Sequence, residues 1–157
     1  MLGSILLGAL LQSTGLPPAT WKERNHPDMP LLPACDLGGS AVVTTMADLP
    51  LPVSAELKRF VGPDGISDAD GPFNSTDVVG DGVPQRRFLR AYPTGDIWII
   101  WFETGGNVSG PRTIALYRDP NSAAFSPTFQ ARPGTMFAGN LCAASKAILA
   151  GVIADGL

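Results

Sequence analysis

At 157 residues the chain has the length of one domain, and a chain of this size buries roughly two-thirds of the surface that its unfolded form exposes. Apolar residues make up 45% of the sequence and charged residues only 16%, which excludes a protein that is disordered throughout. The net charge of −3, with 11 scattered Lys and Arg residues, provides no basic patch, so we expect no nucleic acid as a partner.

The chain starts with an apolar run, Leu2–Leu11, which has the length of a signal-peptide core but is too short to span a bilayer. Small residues follow it where cleavage could occur, although no Lys or Arg precedes it. We interpret residues 1–14 as a signal or an anchor that contacts the membrane through residues 2–11; the alternative is a short helix that the mature chain keeps. Residues 15–157 are then one globular domain with a proline-rich N-terminal arm.

The two cysteines, Cys35 and Cys142, lie near opposite ends of the chain. An exported protein would join them in a disulfide, whereas a cytosolic protein would keep both as buried thiols. With the apolar N-terminal run, this pair favours a periplasmic or secreted protein. A closed loop of this length would restrict the unfolded chain by up to about 4–5 kcal/mol.

The first half of the chain predicts little regular structure. Five prolines in residues 15–36 favour an extended arm, which Trp21 would dock onto the body of the protein. Ala41–Thr45 is β-branched and is typical of a short edge strand. A short helix is predicted near 54–61, with Ser54 as its N-cap and Leu57 on its apolar face.

An acidic loop follows at residues 62–84. Asp68-Ala69-Asp70-Gly71 partly matches the middle of an EF-hand calcium loop, and Asp64 lies close by. The match fails at Ile66, where a ligand is required, so two interpretations stay open: a calcium site at Asp64, Asp68 and Asp70, or a solvated acidic turn. We therefore assign no metal ligand from the sequence.

Three strand-like runs then predict an antiparallel meander at about 86–92, 97–103 and 112–118. In the first run, Phe88, Arg90 and Tyr92 would share one face of the sheet. The central run is apolar on both faces, so we expect a cover on each. One face carries Ile97, Ile99 and Trp101, and the other carries Trp98, Ile100 and Phe102.

The last part of the chain is predicted as a loop over 119–137 and a helix near 141–154 that starts at an Asn140 N-cap. We expect this helix to cover one face of the sheet and the arm to cover part of the other. The fold class is therefore α+β: a small antiparallel sheet with a central meander, a short helix and a packed C-terminal helix.

No strong catalytic motif is present: the sequence has no nucleophile elbow, no phosphate-binding glycine loop and no zinc-ligand cluster, and its only histidine is His26. We therefore assign no catalytic residue and no cofactor. The glycine-rich loop after Glu103 lies beside aromatic residues, and loops on a rigid sheet often carry binding sites. The predicted binding residues are Glu103, Asn107, Arg112 and Trp101.

Three functional hypotheses follow. The first is an exported, non-catalytic binding or inhibitor-like protein that acts through an interface with another protein. The second is an accessory subunit of a larger envelope or membrane-associated assembly, held by residues 2–11 and the arm. The third is a small hydrolase that uses Glu103 with one of the loop aspartates, since glycoside hydrolysis needs only two carboxyl groups.

Overall fold

A four-stranded antiparallel sheet with the order β1-β2-β3-β4 lies at the centre of the structure, a computed structural model that describes residues 28–38, 41–78 and 82–154. The strands are β1 (Arg86–Thr94), β2 (Ile97–Thr104), β3 (Gly110–Arg118) and β4 (Phe129–Ala138). Two helices pack on this sheet, α1 (Leu51–Val61) and α2 (Leu141–Leu149). The predicted α+β class is confirmed, and the meander extends by one strand.

Strand β2 is the central element, and its two faces are as predicted. Ile99 and Trp101 pack with Leu141 and Ile148 of α2 in one cluster, which we call the α2-side cluster. Ile100, on the other face, packs with the apolar side of α1 in a second cluster, which we call the α1-side cluster. Full burial of each large apolar side chain stabilises the fold by about 1.5–3 kcal/mol. The two helices therefore cover opposite faces of one strand.

Strand β1 differs from the prediction because it contains a bulge. Its register shifts between Phe88 and Arg90, so that Leu89 and Arg90 both lie opposite Trp101. An extra residue resets the alternation of side chains. Tyr92 therefore lies on the α2 face, whereas Phe88 lies on the α1 face. The predicted common face for Phe88 and Tyr92 is wrong for this reason.

Strand β4 occupies a region that was predicted to be a loop. Its pairing with β3 is interrupted between the pairs Ile114–Met136 and Leu116–Ala131, where the β4 chain contains a bulge. Pro133 and Gly134 lie in that bulge, where a proline does not have to donate a ladder hydrogen bond. An edge strand tolerates both residues, and the loop prediction over 119–137 is therefore wrong for 129–137.

Two hydrogen bonds from other parts of the chain protect the outer edge of β4. Glu56 of α1 accepts the backbone N–H of Ala131 through Oε1 at 2.8 Å. Ala154 donates its N–H to the carbonyl oxygen of Gly134 at 2.8 Å. Arg59 holds the Glu56 carboxylate in place by donating from Nη2 at 2.6 Å. These contacts leave less free backbone on β4 for pairing with a foreign strand.

Because of Glu56, we expect the stability of the protein to depend on pH in the acid range. The hydrogen bond from Arg59 lowers the pKa of Glu56 below its usual 4.5, burial opposes this effect, and the Ala131 N–H adds to it. A carboxyl with a depressed folded-state pKa contributes stability that is full above its unfolded pKa and is lost as pH falls through the folded value. Below about pH 4.5 we therefore expect the free energy of unfolding to fall more steeply in wild type than in Glu56→Gln.

Urea denaturation over a pH series measures this difference. The amide side chain in Glu56→Gln keeps an oxygen for the Ala131 N–H, so the two proteins differ mainly in the charge. Asp48→Asn, at an exposed acid, is the control and should follow the wild-type curve. An acid slope in Glu56→Gln equal to that of wild type would contradict the prediction.

The helix boundaries differ from those predicted. Helix α1 starts at Leu51 rather than Ser54, because Pro52 lies in the first turn, where a missing N–H costs nothing. Asn140 caps α2 as predicted and accepts the N–H of Ala143 at 2.9 Å. The helix ends at Leu149 rather than 154, since Gly151 adopts a φ of 80° and turns the chain back.

The described part of the arm lies on the same face of the sheet as α2. The predicted disulfide between Cys35 and Cys142 is confirmed, and Leu32 and Leu37 pack in the α2-side cluster. The prediction that the arm covers the opposite face is wrong for residues 28–38, because the disulfide fixes them beside α2. Trp21, His26 and residues 1–14 lie outside the described residues.

The segment 41–45 joins the free edge of β1 through one bridge rather than a full strand. Val43 and Ala91 exchange two backbone hydrogen bonds of 2.8 Å. Val43 also packs against the α1-side cluster, so this segment and α1 cover the face where the arm was expected. Within the described ranges, no helix has the length and hydropathy that a membrane span requires.

Candidate functional site

Glu103, the acid at the end of β2, forms an ion pair with Arg87 on the neighbouring strand. Arg87 is 1% exposed, and its Nε donates to Glu103 Oε1 at 2.6 Å. The guanidinium also donates from Nη2 to the carbonyl oxygen of Asp28 at 3.0 Å, and it lies 4.9 Å from the Phe73 ring centroid. The pair therefore ties β1, β2 and the arm together.

Glu103 lines a groove of about 640 Å³ that we call the proline groove. One wall is the arm segment 30–34, and the opposite wall contains Pro111 and Leu141. Glu103 is the only carboxylate among the lining residues that the structure describes. Hydrolysis of a glycoside by two carboxyl groups needs a second acid beside it. The groove therefore gives the hydrolase hypothesis no support.

The arm wall of the proline groove is fastened covalently but faces solvent. Cys35, immediately after Ala34, is bonded to Cys142 in the first turn of α2. Leu31 is nevertheless 100% exposed. Within the described part of the chain, the backbone of residues 29–37 makes no hydrogen bond to another backbone segment. The wall thus presents apolar side chains and open backbone groups from a fixed position.

Trp101, predicted as a binding residue, is a core residue instead. Its side chain is fully buried, and its Nε1 donates to Ser145 Oγ at 2.8 Å. Ser145 in turn donates to the carbonyl oxygen of Leu141 at 2.7 Å. The Tyr92 ring lies 4.9 Å away between centroids. Trp101 has no exposed surface for direct contact with a partner, so its position gives the binding prediction for this residue no support.

The other two predicted residues, Asn107 and Arg112, lie on the α1 face, in a second cavity of about 480 Å³ that we call the arginine cleft. Arg112 is paired in register with Phe102, whose side chain belongs to the α1-side cluster. Asn107 is exposed at the rim. The four predicted residues therefore do not form one site: Glu103 and Arg112 face opposite sides of the sheet.

The glycine-rich loop that forms part of the arginine cleft is anchored to the neighbouring backbone. Gly105 donates its N–H to the carbonyl oxygen of Gln85 at 2.7 Å, and Gly106 donates to that of Ser75 at 3.2 Å. A Cβ at Gly105 would overlap the carbonyl oxygen of Asn74. Only glycine fits against the neighbouring backbone here, and this close contact holds the start of the loop in place.

The acidic loop has a structural role at Asp68. This carboxylate accepts hydrogen bonds from Thr45 Oγ1 at 2.6 Å and from the N–H groups of Met46 and Ala69 at 2.9 and 2.8 Å. Burial raises the pKa of Asp68, but these hydrogen bonds outweigh it and lower the pKa overall. An acid surrounded by donors is poorly suited to bind a cation.

The structure therefore gives the calcium interpretation no support. Asp64 is exposed and lies 3.7 Å from Arg86, so it pairs with a cation of the protein. Asp70 is also exposed. In the described residues, no group of three or more His, Cys, Asp or Glu side chains is arranged to hold a metal ion.

Comparison with known proteins adds no identification, since the chain matches no protein-family model, no curated protein and no solved structure.

Proposed function

We propose that this protein is a non-catalytic binding protein of an oxidising compartment, periplasmic or secreted, and that it holds an extended segment of another protein in the proline groove. The observation that carries the proposal is the wall at residues 30–34: the disulfide fixes it, yet Pro30, Leu31, Pro33 and Ala34 are exposed and only Leu32 packs inward. Exposed apolar surface beside a groove is typical of an interaction site. A disulfide is typical of a protein that folds outside the reducing cytosol.

The chemistry of the groove favours a polypeptide as the occupant. Its walls are mainly leucine and proline side chains, which match apolar side chains of a partner. The arm backbone beside them has no regular secondary structure, and within the described part of the chain Leu31, Leu32 and Ala34 make no backbone hydrogen bond to another segment. An extended peptide can use both features at once, because its backbone pairs while its alternate side chains enter the groove.

Leu31→Asp tests the proposal without disturbing the core, because Leu31 is fully exposed. A displayed library of random peptides is selected on the full-length oxidised protein, and the dissociation constant of an enriched peptide is then measured. We expect Leu31→Asp to weaken binding by about tenfold or more, equivalent to about 1.4 kcal/mol. Phe125→Asp, at an apolar residue that is 94% exposed and lies outside the groove lining, should bind the peptide as wild type does.

Two results would contradict the proposal. One is an enriched peptide whose affinity falls equally in Leu31→Asp and Phe125→Asp, since binding would then depend on general surface hydrophobicity. The other comes from p-benzoylphenylalanine placed at position 31 of the full chain. Crosslinking to the same chain rather than to the peptide would show that the groove is filled internally.

The accessory-subunit hypothesis remains a prediction, because it depends on residues 2–11, which lie outside the described residues. It expects the intact chain to associate with membranes or with other subunits. If the full-length protein stays monomeric in sedimentation and leaves membranes in plain buffer, this hypothesis fails.

A further inference from the structure

We infer that the arginine cleft is a binding site for a monocarboxylate with an apolar body. This site is separate from the proline groove, because Arg112 lies on the opposite face of the sheet from Glu103. It would therefore act independently of the proposed function.

The inference starts from the state of Arg112. This residue is 8% exposed, and its guanidinium donates from Nη2 to the carbonyl oxygen of Val108 at 2.6 Å and from Nη1 to that of Pro111 at 3.0 Å. Neither acceptor is charged. In the described residues, no carboxylate lies within salt-bridge distance of Arg112, and Nε has no acceptor. A buried cation without a counter-ion is costly and indicates an anion that binds there.

The donors that remain favour a carboxylate. A guanidinium presents five N–H donors in a planar fork that matches the two oxygens of a carboxylate. The amide side chains of Gln85 and Asn107 also line the cleft. Gln85 already donates from Nε2 to Thr76 at 2.6 Å, whereas Asn107 is exposed at the rim. A carboxylate at Arg112 would therefore receive its main bonds from the guanidinium.

The other charges of the cleft favour a single negative charge on the ligand. Arg86 is engaged, since it donates to the carbonyl oxygen of Val61 at 3.1 Å and lies 3.7 Å from Asp64. Asp77 lines the cleft and is exposed. Its charge would repel phosphate and other polyanions more strongly than a monoanion. One buried positive charge beside one acidic rim thus fits a monocarboxylate.

The apolar part of the lining indicates the rest of the ligand. Four apolar side chains from α1, β2 and β4 border the cleft and are buried or half-buried: Phe60, Val61, Phe102 and Met136. A cavity of about 480 Å³ exceeds what a bare carboxylate needs and lies in the usual size range of small-ligand sites. The ligand therefore combines one carboxylate with an aliphatic or aromatic body.

Octanoate is a suitable probe, with octanamide as its neutral counterpart and inorganic phosphate as a polyanion. Binding to the full-length oxidised protein is measured by calorimetry. We expect octanoate to bind about tenfold or more tightly than octanamide, because only the carboxylate neutralises Arg112, and we expect no binding of phosphate. Equal affinities for octanoate and octanamide, or tighter binding of phosphate, would overturn the inference.

Arg112→Gln tests the residue directly. The variant should fold, because Val108 keeps a hydrogen bond from Thr104 Oγ1 at 2.8 Å and Pro111 keeps one from the Gly139 N–H at 3.2 Å. We expect octanoate affinity to fall about tenfold or more. Arg118→Gln is the matched control, since Arg118 pairs with exposed Asp96 at 3.4 Å and does not line the cleft. An equal loss in both variants would overturn the inference.

A second pair of variants applies if Arg112→Gln does not fold. Asn107→Asp places a negative charge at the exposed rim of the cleft, and Asn121→Asp places one at an exposed turn outside it. We expect octanoate affinity to fall by about fivefold in Asn107→Asp and to stay unchanged in Asn121→Asp. Unchanged affinity in both variants would overturn the inference.

Two further measurements identify the source of the anion. A short peptide that ends in leucine is compared with octanoate: whichever binds more tightly identifies a partner's chain terminus or a free organic acid, and either result supports a carboxylate site. The internal alternative is Asp81, which lies outside the described residues. Strongly non-additive losses of stability in Asp81→Asn, Arg112→Gln and the double variant would assign the counter-ion to Asp81 and overturn the inference.

Discussion

Replacing both cysteines with alanine is expected to lower the free energy of unfolding by about 4–5 kcal/mol. Cys35 and Cys142 are 107 positions apart, so their disulfide removes many open conformations from the unfolded chain. Such a loss is a large fraction of the stability of a typical domain. Urea denaturation of wild type and of Cys35→Ala/Cys142→Ala measures it, and the double variant avoids an unpaired thiol.

Loss of the disulfide should disrupt the structure of the proline groove more than that of the sheet. The arm contributes Leu32 and Leu37 to the α2-side cluster, whereas the sheet and both helices supply most of the rest of the core. Without the disulfide, residues 30–34 are no longer fixed beside α2. We therefore expect a folded variant that has lost peptide binding. A free-thiol count of two in native protein from an oxidising compartment would contradict the disulfide itself.

The sequence was most informative where one strong local pattern set the structure. The alternation of Ile97–Phe102 correctly assigned both faces of β2 and their need for two covers, because side-chain direction in a strand has a period of two. Asn140 was identified as an N-cap because a short polar side chain before an Ala-rich and Leu-rich run can satisfy free N–H groups. These signals depend only on neighbouring residues.

The failures occurred where pairing between distant segments overrides local pattern. Nothing in Arg86–Tyr92 marks Leu89 as a bulge, because the bulge is defined by its partner strand. Pro133 and Gly134 indicated a loop, yet β3 accepts them as a bulge on an edge strand. The predicted position of the arm was wrong because a disulfide between Cys35 and Cys142 fixes a contact but does not specify which face of the sheet the arm covers.

The candidate sites were predicted only in part for the same reason. Glu103 and Arg112 were singled out from the ends of strands, but their separation by the sheet follows from the β2–β3 register, which the sequence does not specify. Arg87, the buried partner of Glu103, was missed. Its only sequence signal is that it is a basic residue close to the start of a strand. Such residues are common on protein surfaces, so this signal did not indicate a buried ion pair.

Arg87→Met is expected to destabilise the protein by about 3–5 kcal/mol, the usual cost of removing one partner of a buried ion pair. Glu103 would keep its charge beside the arm and the end of β2 without the Arg87 guanidinium to neutralise it. The double variant Arg87→Met/Glu103→Leu should recover most of this loss, because apolar residues of similar size often replace a buried pair without net cost. Urea denaturation of both variants measures the difference.

Arg118→Met provides the comparison with an exposed pair, since Arg118 lies 3.4 Å from an Asp96 side chain that is 78% exposed. Arg118→Met should lower the free energy of unfolding by no more than about 1 kcal/mol. A double variant as unstable as Arg87→Met would contradict the role assigned to the charge of Glu103. The loss would then come from other contacts of Arg87, among them those with the Asp28 carbonyl and the Phe73 ring. In that case Arg87 would stabilise the fold mainly by holding the arm, and the same variants should weaken peptide binding in the proline groove.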